Sequence, residues 1–270
     1  MNNEMIHPTD LRAILFFVAD RIKHEEGNLN SLDSAVGDGD HGITMRTGFE
    51  AVVEKIHHLK ADTSIGSILA ESGRTFMGAT GGAIGVLMGK MLMSAGNTLQ
   101  GYPGIGAKEF KALLDAMEVA VAKAGKVQPG DKTILDAVHG ACQAISHANG
   151  SLRTTAFMAA NGAEAAANET AHMLCRAGRG SKLGERVLGC PDPGDETTGP
   201  PADHDYIVLA HPCSVSPHRR RVALPTHTED ILVRCIHPAT PQNDAGVRAR
   251  RRVSSSAGPN RPRRAEPDSR

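Results

Sequence analysis

An all-α domain followed by an irregular tail is the fold class that the sequence predicts, and three observations predict it. Apolar residues recur at helical spacing through about the first 195 of the 270 residues, no convincing alternating strand occurs before residue 200, and the composition changes there. Residues 1–195 are rich in Ala, Gly, Leu and Met, mildly acidic, and hold every lysine, the last being Lys182. From 196 to 270 arginine and proline dominate, as in Arg219-Arg220-Arg221 and Arg250-Arg251-Arg252. The net charge of zero is therefore a cancellation between two unlike parts and says little about the partners of either.

The elements follow in order. Thr9, after Pro8, is the expected cap of a first helix in which Leu11, Ile14, Leu15, Val18, Ala19 and Ile22 recur until Gly27 stops it. Segments near 43–60, 64–77 and 83–97 continue the series. Phe110, Leu113, Leu114, Met117 and Val121 mark a helix ending near Gly125. The turn Gln128-Pro129-Gly130, with Asp131 as candidate cap, opens another through Ile134, Ala137, Val138, Ala141 and Ile145. An alanine-rich segment from about Thr155 to Arg176 favours tight packing.

Gly81, Gly85 and Gly89 fall four apart on one helical face, each costing about 1 kcal/mol relative to alanine, so something must approach that backbone closely. For Gly85 and Gly89 a neighbouring helix is the simpler reason. Gly78-Ala79-Thr80-Gly81-Gly82, a turn opening a helix, is a ready anion site. It is no Walker A loop, because the glycine spacing is one short and Met91 follows Lys90.

The chemistry concentrates in Asp33-Ser-Ala-Val-Gly-Asp38-Gly-Asp40-His41-Gly42. At about 4 Å and an effective dielectric near 20, each carboxylate pair costs about 4 kcal/mol before screening, and a divalent cation relieves it. Oxygen-only ligands point to Mg²⁺ or Ca²⁺ rather than zinc. The run also spells the dinucleotide pattern Gly37-x-Gly39-x-x-Gly42, but carboxylates at its variable positions would oppose a pyrophosphate and no strand precedes it. An EF-hand fails too, since the twelfth position from Asp38 is Phe49 rather than a bidentate Glu.

No run of 18 apolar residues occurs and the N-terminus lacks the regions of a signal peptide, so a cytoplasmic location is the expectation. Cys142, Cys175, Cys190, Cys213 and Cys235 are expected to be free thiols, with Cys142 in a helix core.

In combination these residues resemble the L subunit of dihydroxyacetone kinase, its nucleotide-binding part. The matching motifs are Leu32 to Gly42, Gly78-Ala79-Thr80-Gly81-Gly82, Pro129-Gly130-Asp131-Lys132-Thr133, the stretch from Gly178 to Arg186, and Asp192-Pro193-Gly194, spanning roughly residues 8–194. The resemblance implies a closed barrel of about eight antiparallel helices with an adenine nucleotide, ADP or ATP, at one end. Asp33, Asp38 and Asp40 become ligands of Mg²⁺, expected as two ions, whose roughly four positive charges offset three carboxylates and the about three negative charges of an ADP diphosphate. His41, Gly42, Ile43 and Thr44 would lie beside the phosphates, with His41 either touching phosphate or orienting a carboxylate. Ala79 and Thr80 would donate to phosphate, Gly125, Ile134 and Arg179 would shape the pocket, and Asp192, Pro193 and Gly194 would close it. Lys132 is read as pairing with the neighbours of Asp131 rather than with nucleotide, and Arg179 and Arg186, in a glycine-rich loop, are also weighed as solvated surface charges.

The resemblance further implies kinase or phosphotransferase activity shared with a separate K subunit, which carries the short ketose, this chain supplying nucleotide and metal. A free-standing L chain suits the phosphotransferase-system form, whose ADP is rephosphorylated by a phosphohistidine-bearing M subunit. An ATP-dependent L component and an inactive interaction partner are the alternatives, with the related fatty-acid kinases more distant. A homodimer belongs to the expected partners; nucleic acid and membrane do not.

After Gly194 the family would continue into a short apolar helix, whereas Pro200 and Pro201 break one here. A frameshifted, largely disordered tail is the expectation. A basic tail for nucleic acid or membrane is disfavoured by missing aromatics. A zinc site from His204, His211, Cys213, His218, Cys235 and His237 is disfavoured by its spacing. Short strands are expected at 207–209 and 231–233.

Overall fold

A computed structural model describes residues 5–196. The expectations for the tail beyond residue 196, its disorder, strands and zinc candidates alike, lie outside the described residues.

Seven helices follow one another: α1 (Pro8–Val36), α2 (His41–His58), α3 (Ile65–Ala79), α4 (Gly82–Thr98), α5 (Ala107–Gly125), α6 (Ile134–Ala144) and α7 (Leu152–Glu169). A four-residue α8 (Pro193–Glu196) comes last, after three short 3₁₀ turns. No strand occurs among the described residues, only an isolated antiparallel bridge between Ile6 and Ile105. Each helix from α1 to α7 packs on its successor, and α8 touches α1, α6 and α7, so it joins the first and last staves.

The first helix corrects two expectations. Its cap is His7, not Thr9: Pro8 occupies the first turn, where its missing N–H costs nothing, and the Asp10 carboxylate accepts from the His7 N–H at 2.8 Å. Gly27 does not stop it. One glycine costs about 1 kcal/mol, less than the about 1.5–3 kcal/mol from burying Leu29 a half-turn on, and the helix continues to Val36. That extension carries Asn30 and Asp33 to the end of the bundle, where the Asn30 Oδ1 accepts from the Ile43 N–H at 3.2 Å.

The cap of α6 is Thr133 rather than Asp131. Its hydroxyl accepts from the Leu135 N–H, while buried Asp136 accepts from the N–H groups of Thr133 (2.8 Å) and Gly130 (2.5 Å). Asp131 instead closes the preceding turn by accepting from the Gln128 N–H at 2.9 Å. The alanine-rich helix starts earlier than expected, because Ser151 caps it at Leu152, and ends earlier, because the chain turns at Thr170–His172.

Glycines set the closest crossings. A Cβ on Gly89 would lie 2.9 Å from the Gly73 carbonyl oxygen and 2.6 Å from the Met77 Cβ, and one on Gly96 would lie 2.6 Å from the Gly66 oxygen. The glycine face of α4 is thus its seam with α3, as expected for Gly89. Gly85 abuts Thr80 in the turn before its own helix, 2.6 Å from Oγ1, so there the neighbour is a loop hydroxyl. Gly140 and Gly162 make the corresponding mutual approach between α6 and α7. Phe49 and Phe76 meet edge to face with centroids 5.3 Å apart in the core beneath. Cys142 is buried in that core, and Cys142, Cys175 and Cys190 are free thiols.

Candidate functional site

The helices alternate in direction, so one end of the bundle gathers the ends of odd helices and the starts of even ones. Val36, Ala124 and Gly125 from the finishing turns of α1 and α5, and His41, Gly82 and Ile134 from the first residues of α2, α4 and α6, all line a single cavity of about 790 Å³. Three helix N-termini therefore direct the positive ends of their dipoles at one space.

The acidic run forms its rim. Asp33 sits in the last turn of α1, and its Oδ2 accepts from the N–H groups of Gly39 at 2.8 Å and Asp40 at 3.1 Å, folding the loop back over the helix end. Gly39 has φ +78°, and a Cβ there would lie 2.5 Å from the Ser34 hydroxyl, so glycine is required. The loop brings one oxygen from each of Asp33, Asp38 and Asp40 within 4.8 Å of the others. Asp40 is the N-terminal boundary residue of α2, yet its side chain makes no capping bond. All three donors are hard oxygens on one rim, partly exposed to solvent, which fits Mg²⁺ with water and phosphate oxygens completing its shell.

His41, half-buried beside them, has its pKa pushed below the usual 6.5 because burial outweighs the attraction of Asp33 and Asp40. Arg179 lies on the 3₁₀ turn Arg179–Lys182 and pairs with Asp38. Asp192 donates its N–H to the Thr170 hydroxyl at 3.0 Å and accepts from the Gly194 N–H at 3.0 Å, which seats Gly194 against Ile134 at the start of α6.

Of the residues singled out from the sequence, the three aspartates, His41, Thr44, Gly125, Ile134, Arg179, Asp192, Pro193 and Gly194 line the cavity together. Gly42, Ile43, Ala79 and Thr80 do not. Gly42 is pressed against the Glu26 carbonyl of α1 and Ile43 is exposed. The Thr80 hydroxyl donates to the Phe76 carbonyl at 2.8 Å, and the glycines after it, Gly81 and Gly82, take the lining positions. Arg186 is exposed.

Sequence reading missed the apolar wall of Val36, Ile84, Leu87 and Val127, because periodicity alone marks such residues as core. It also missed the role of Lys132. Its Nζ donates to the carbonyls of Met173 (3.3 Å), Val187 (2.7 Å) and Cys190 (2.7 Å), 41 to 58 residues away. No local pattern announces a contact at that separation.

The DAK2 domain family profile matches residues 35–198. The chain belongs to the DAK2 domain family. Two bacterial members are similar over most of their length. The PEP-dependent dihydroxyacetone kinase, ADP-binding subunit DhaL of Escherichia coli K12 is 38% identical over 173 residues, 63% of this chain and 82% of that one. The PEP-dependent dihydroxyacetone kinase 2, ADP-binding subunit DhaL of Listeria innocua is 32% identical over 180 residues, 66% of this chain and 83% of that one. Longer relatives include human triokinase/FMN cyclase, 34% identical over 172 residues, 63% of this chain and 30% of that one. Among solved structures, the dihydroxyacetone kinase of C. freundii in complex with AMP-PNP and Mg²⁺ has a TM-score of 0.54 at 24% identity, and its native form 0.55 at 25%. This chain spans about a third of those kinases, 32% and 34%, and the likeness carries the helical fold.

Proposed function

We propose that this chain is the nucleotide-binding L component of a dihydroxyacetone kinase, holding Mg²⁺ with ADP or ATP and acting on a short ketose carried by a separate K subunit. The observation that carries the reading is the aspartate rim, three carboxylates with oxygens within 4.8 Å at the mouth of a cavity lined by three helix N-termini. Mg²⁺ on that rim supplies the charge that neutralises phosphate oxygens as a phosphoryl group moves. The residues do the rest. Asp33, Asp38 and Asp40 hold the ion and orient it, and the first turn of α4, at Gly82, Ala83 and Ile84, presents N–H groups to phosphate. Val36, Ile84, Leu87 and Val127 give a dry wall suited to the flat base.

The similarity to the E. coli and Listeria subunits, each covered over more than four-fifths of its length, supports the phosphotransferase-dependent form. In that form ADP stays bound and a phosphohistidine-bearing M subunit reloads it. Two Mg²⁺ ions, a homodimer and a cytoplasmic location belong to the same proposal. Among the described residues no helix is long and apolar enough to cross a membrane.

The test is titration of purified chain with ADP in Mg²⁺, followed by turnover with K subunit and dihydroxyacetone, supplied with ATP or with phosphorylated M subunit. Binding that vanishes with EDTA and with Asp38→Ala supports the reading. A chain that binds no nucleotide in Mg²⁺ sinks it and leaves the inactive-partner alternative, while turnover with ATP alone favours the ATP-dependent form.

A further inference from the structure

We propose that Lys132 is the positioning residue of the nucleotide site: its buried ammonium fastens both ends of the segment 173–190 to the start of α6 and so holds Arg179 within reach of Asp38. This rests on the nucleotide-binding reading above. Lys132 is 1% exposed, among the largest fully buried side chains. Its backbone adopts φ +60°, in the left-handed region that non-glycine residues adopt uncommonly.

Met173 lies before the Arg179 turn and Val187 and Cys190 lie after it, and the carbonyls of all three accept from the one Nζ, at 3.3, 2.7 and 2.7 Å. The flanking backbone adds to the junction, as the Asp131 carbonyl accepts from the Arg176 N–H at 3.0 Å. Between Met173 and Cys190 the only regular structure is two four-residue 3₁₀ turns, whose bonds, such as those from the Leu183 N–H to the Gly180 carbonyl and from the Leu188 N–H to the Glu185 carbonyl, are local. The course of the segment over the fold therefore needs definition from outside it, which the Gly189 N–H donating to the Ala171 carbonyl at 2.8 Å gives in part. Charge-assisted bonds to a buried cation supply that definition. Lys132 itself lines the cavity wall from which the segment extends to the Asp38 rim.

The experiment uses the full chain with Lys132→Met, which keeps the apolar stem and removes the donors. Amide exchange without nucleotide should accelerate more than fivefold across 173–190 and stay unchanged in α3 and α4. The Kd for ADP in Mg²⁺ should rise more than fivefold. Arg179→Ala should weaken binding in the wild-type background and add less than twofold in the Lys132→Met background, because the guanidinium is then already out of place. A Kd or a 173–190 exchange rate within fivefold of wild type, or a full Arg179→Ala effect on top of Lys132→Met, overturns the proposal. Should Lys132→Met not fold, Lys132→Gln, which keeps a donor for part of the carbonyl set, is read against the same thresholds. Wild-type chain that binds no ADP would overturn the functional reading instead, and the exchange measurement, made without nucleotide, still decides the fastening.

Discussion

Arg179 and Asp38, 141 positions apart in sequence, form an ion pair across the mouth of the cavity. The pair places a guanidinium on one of the three carboxylates that crowd the rim, so it takes a share of the neutralisation that a cation performs more completely. Both side chains are more than a third exposed, and such a pair is worth about 0–1 kcal/mol. Arg179→Ala should therefore lower the stability of the metal-free chain by no more than about 1 kcal/mol, with the loss fading as salt is raised. Urea titration at low and high salt measures it, and a loss well above that, or one indifferent to salt, would show that the pair is not acting as a screened surface contact.

The three aspartates should separate into two classes. Asp33 accepts two loop N–H groups in addition to facing the site, so Asp33→Ala should cost about 1–3 kcal/mol of stability as well as abolishing Mg²⁺-dependent ADP binding. Asp40 makes no capping bond, and Asp40→Ala should lose binding with little change in the melting temperature of the apo chain. Thermal melts paired with ADP titration distinguish the two; equal stability losses would contradict the division.

Ligand removal gives a third expectation. ADP with Mg²⁺ at 100 times its Kd should stabilise the fold by about 2.7 kcal/mol, and EDTA should return the melting temperature to that of the apo chain. A melting point unmoved by ADP in Mg²⁺ would count against the site.

His41 sets a pH dependence. Burial holds its pKa below the unfolded value of 6.5, so folding favours the neutral ring. A depressed folded pKa means that this contribution is complete above about pH 6.5 and is lost as pH falls from there toward the folded value. Metal-free chain should thus lose stability between neutral pH and pH 5 more steeply than His41→Gln does. Parallel denaturation curves for the two across that range would refute it.

Two glycine substitutions should act in opposite directions. Gly27 lies inside α1, and a Cβ there would meet nothing within 4 Å, so Gly27→Ala should stabilise by about 0.5–1 kcal/mol. Gly140 is pressed on Gly162, and Gly140→Val should destabilise by about 1–3 kcal/mol or abolish folding. Denaturant midpoints check both.

The helices were legible because their apolar faces repeat within each segment, and the acidic run was legible because its chemistry is local. Ends of helices were less so: Gly27 and Asp131 looked like a stop and a cap, and lost to burial of Leu29 and to the reciprocal bonds of Thr133 and Asp136. Ala79 and Thr80 were favoured over Gly81 and Gly82 because the cap geometry that turns the glycines to the cavity is set by the packing of α3 on α4.

By itself the sequence determined an all-helical body, the crowding of Asp33, Asp38 and Asp40, and the need for positive charge among them, since each depends on residues close together in the chain. Only the tertiary structure decided that α2, α4 and α6 open onto the same cavity, that Arg179 meets Asp38, and that Lys132 holds the segment between. Those relations join residues separated by tens of positions, and they arise from the order in which helices pack, which leaves no periodic trace along the chain.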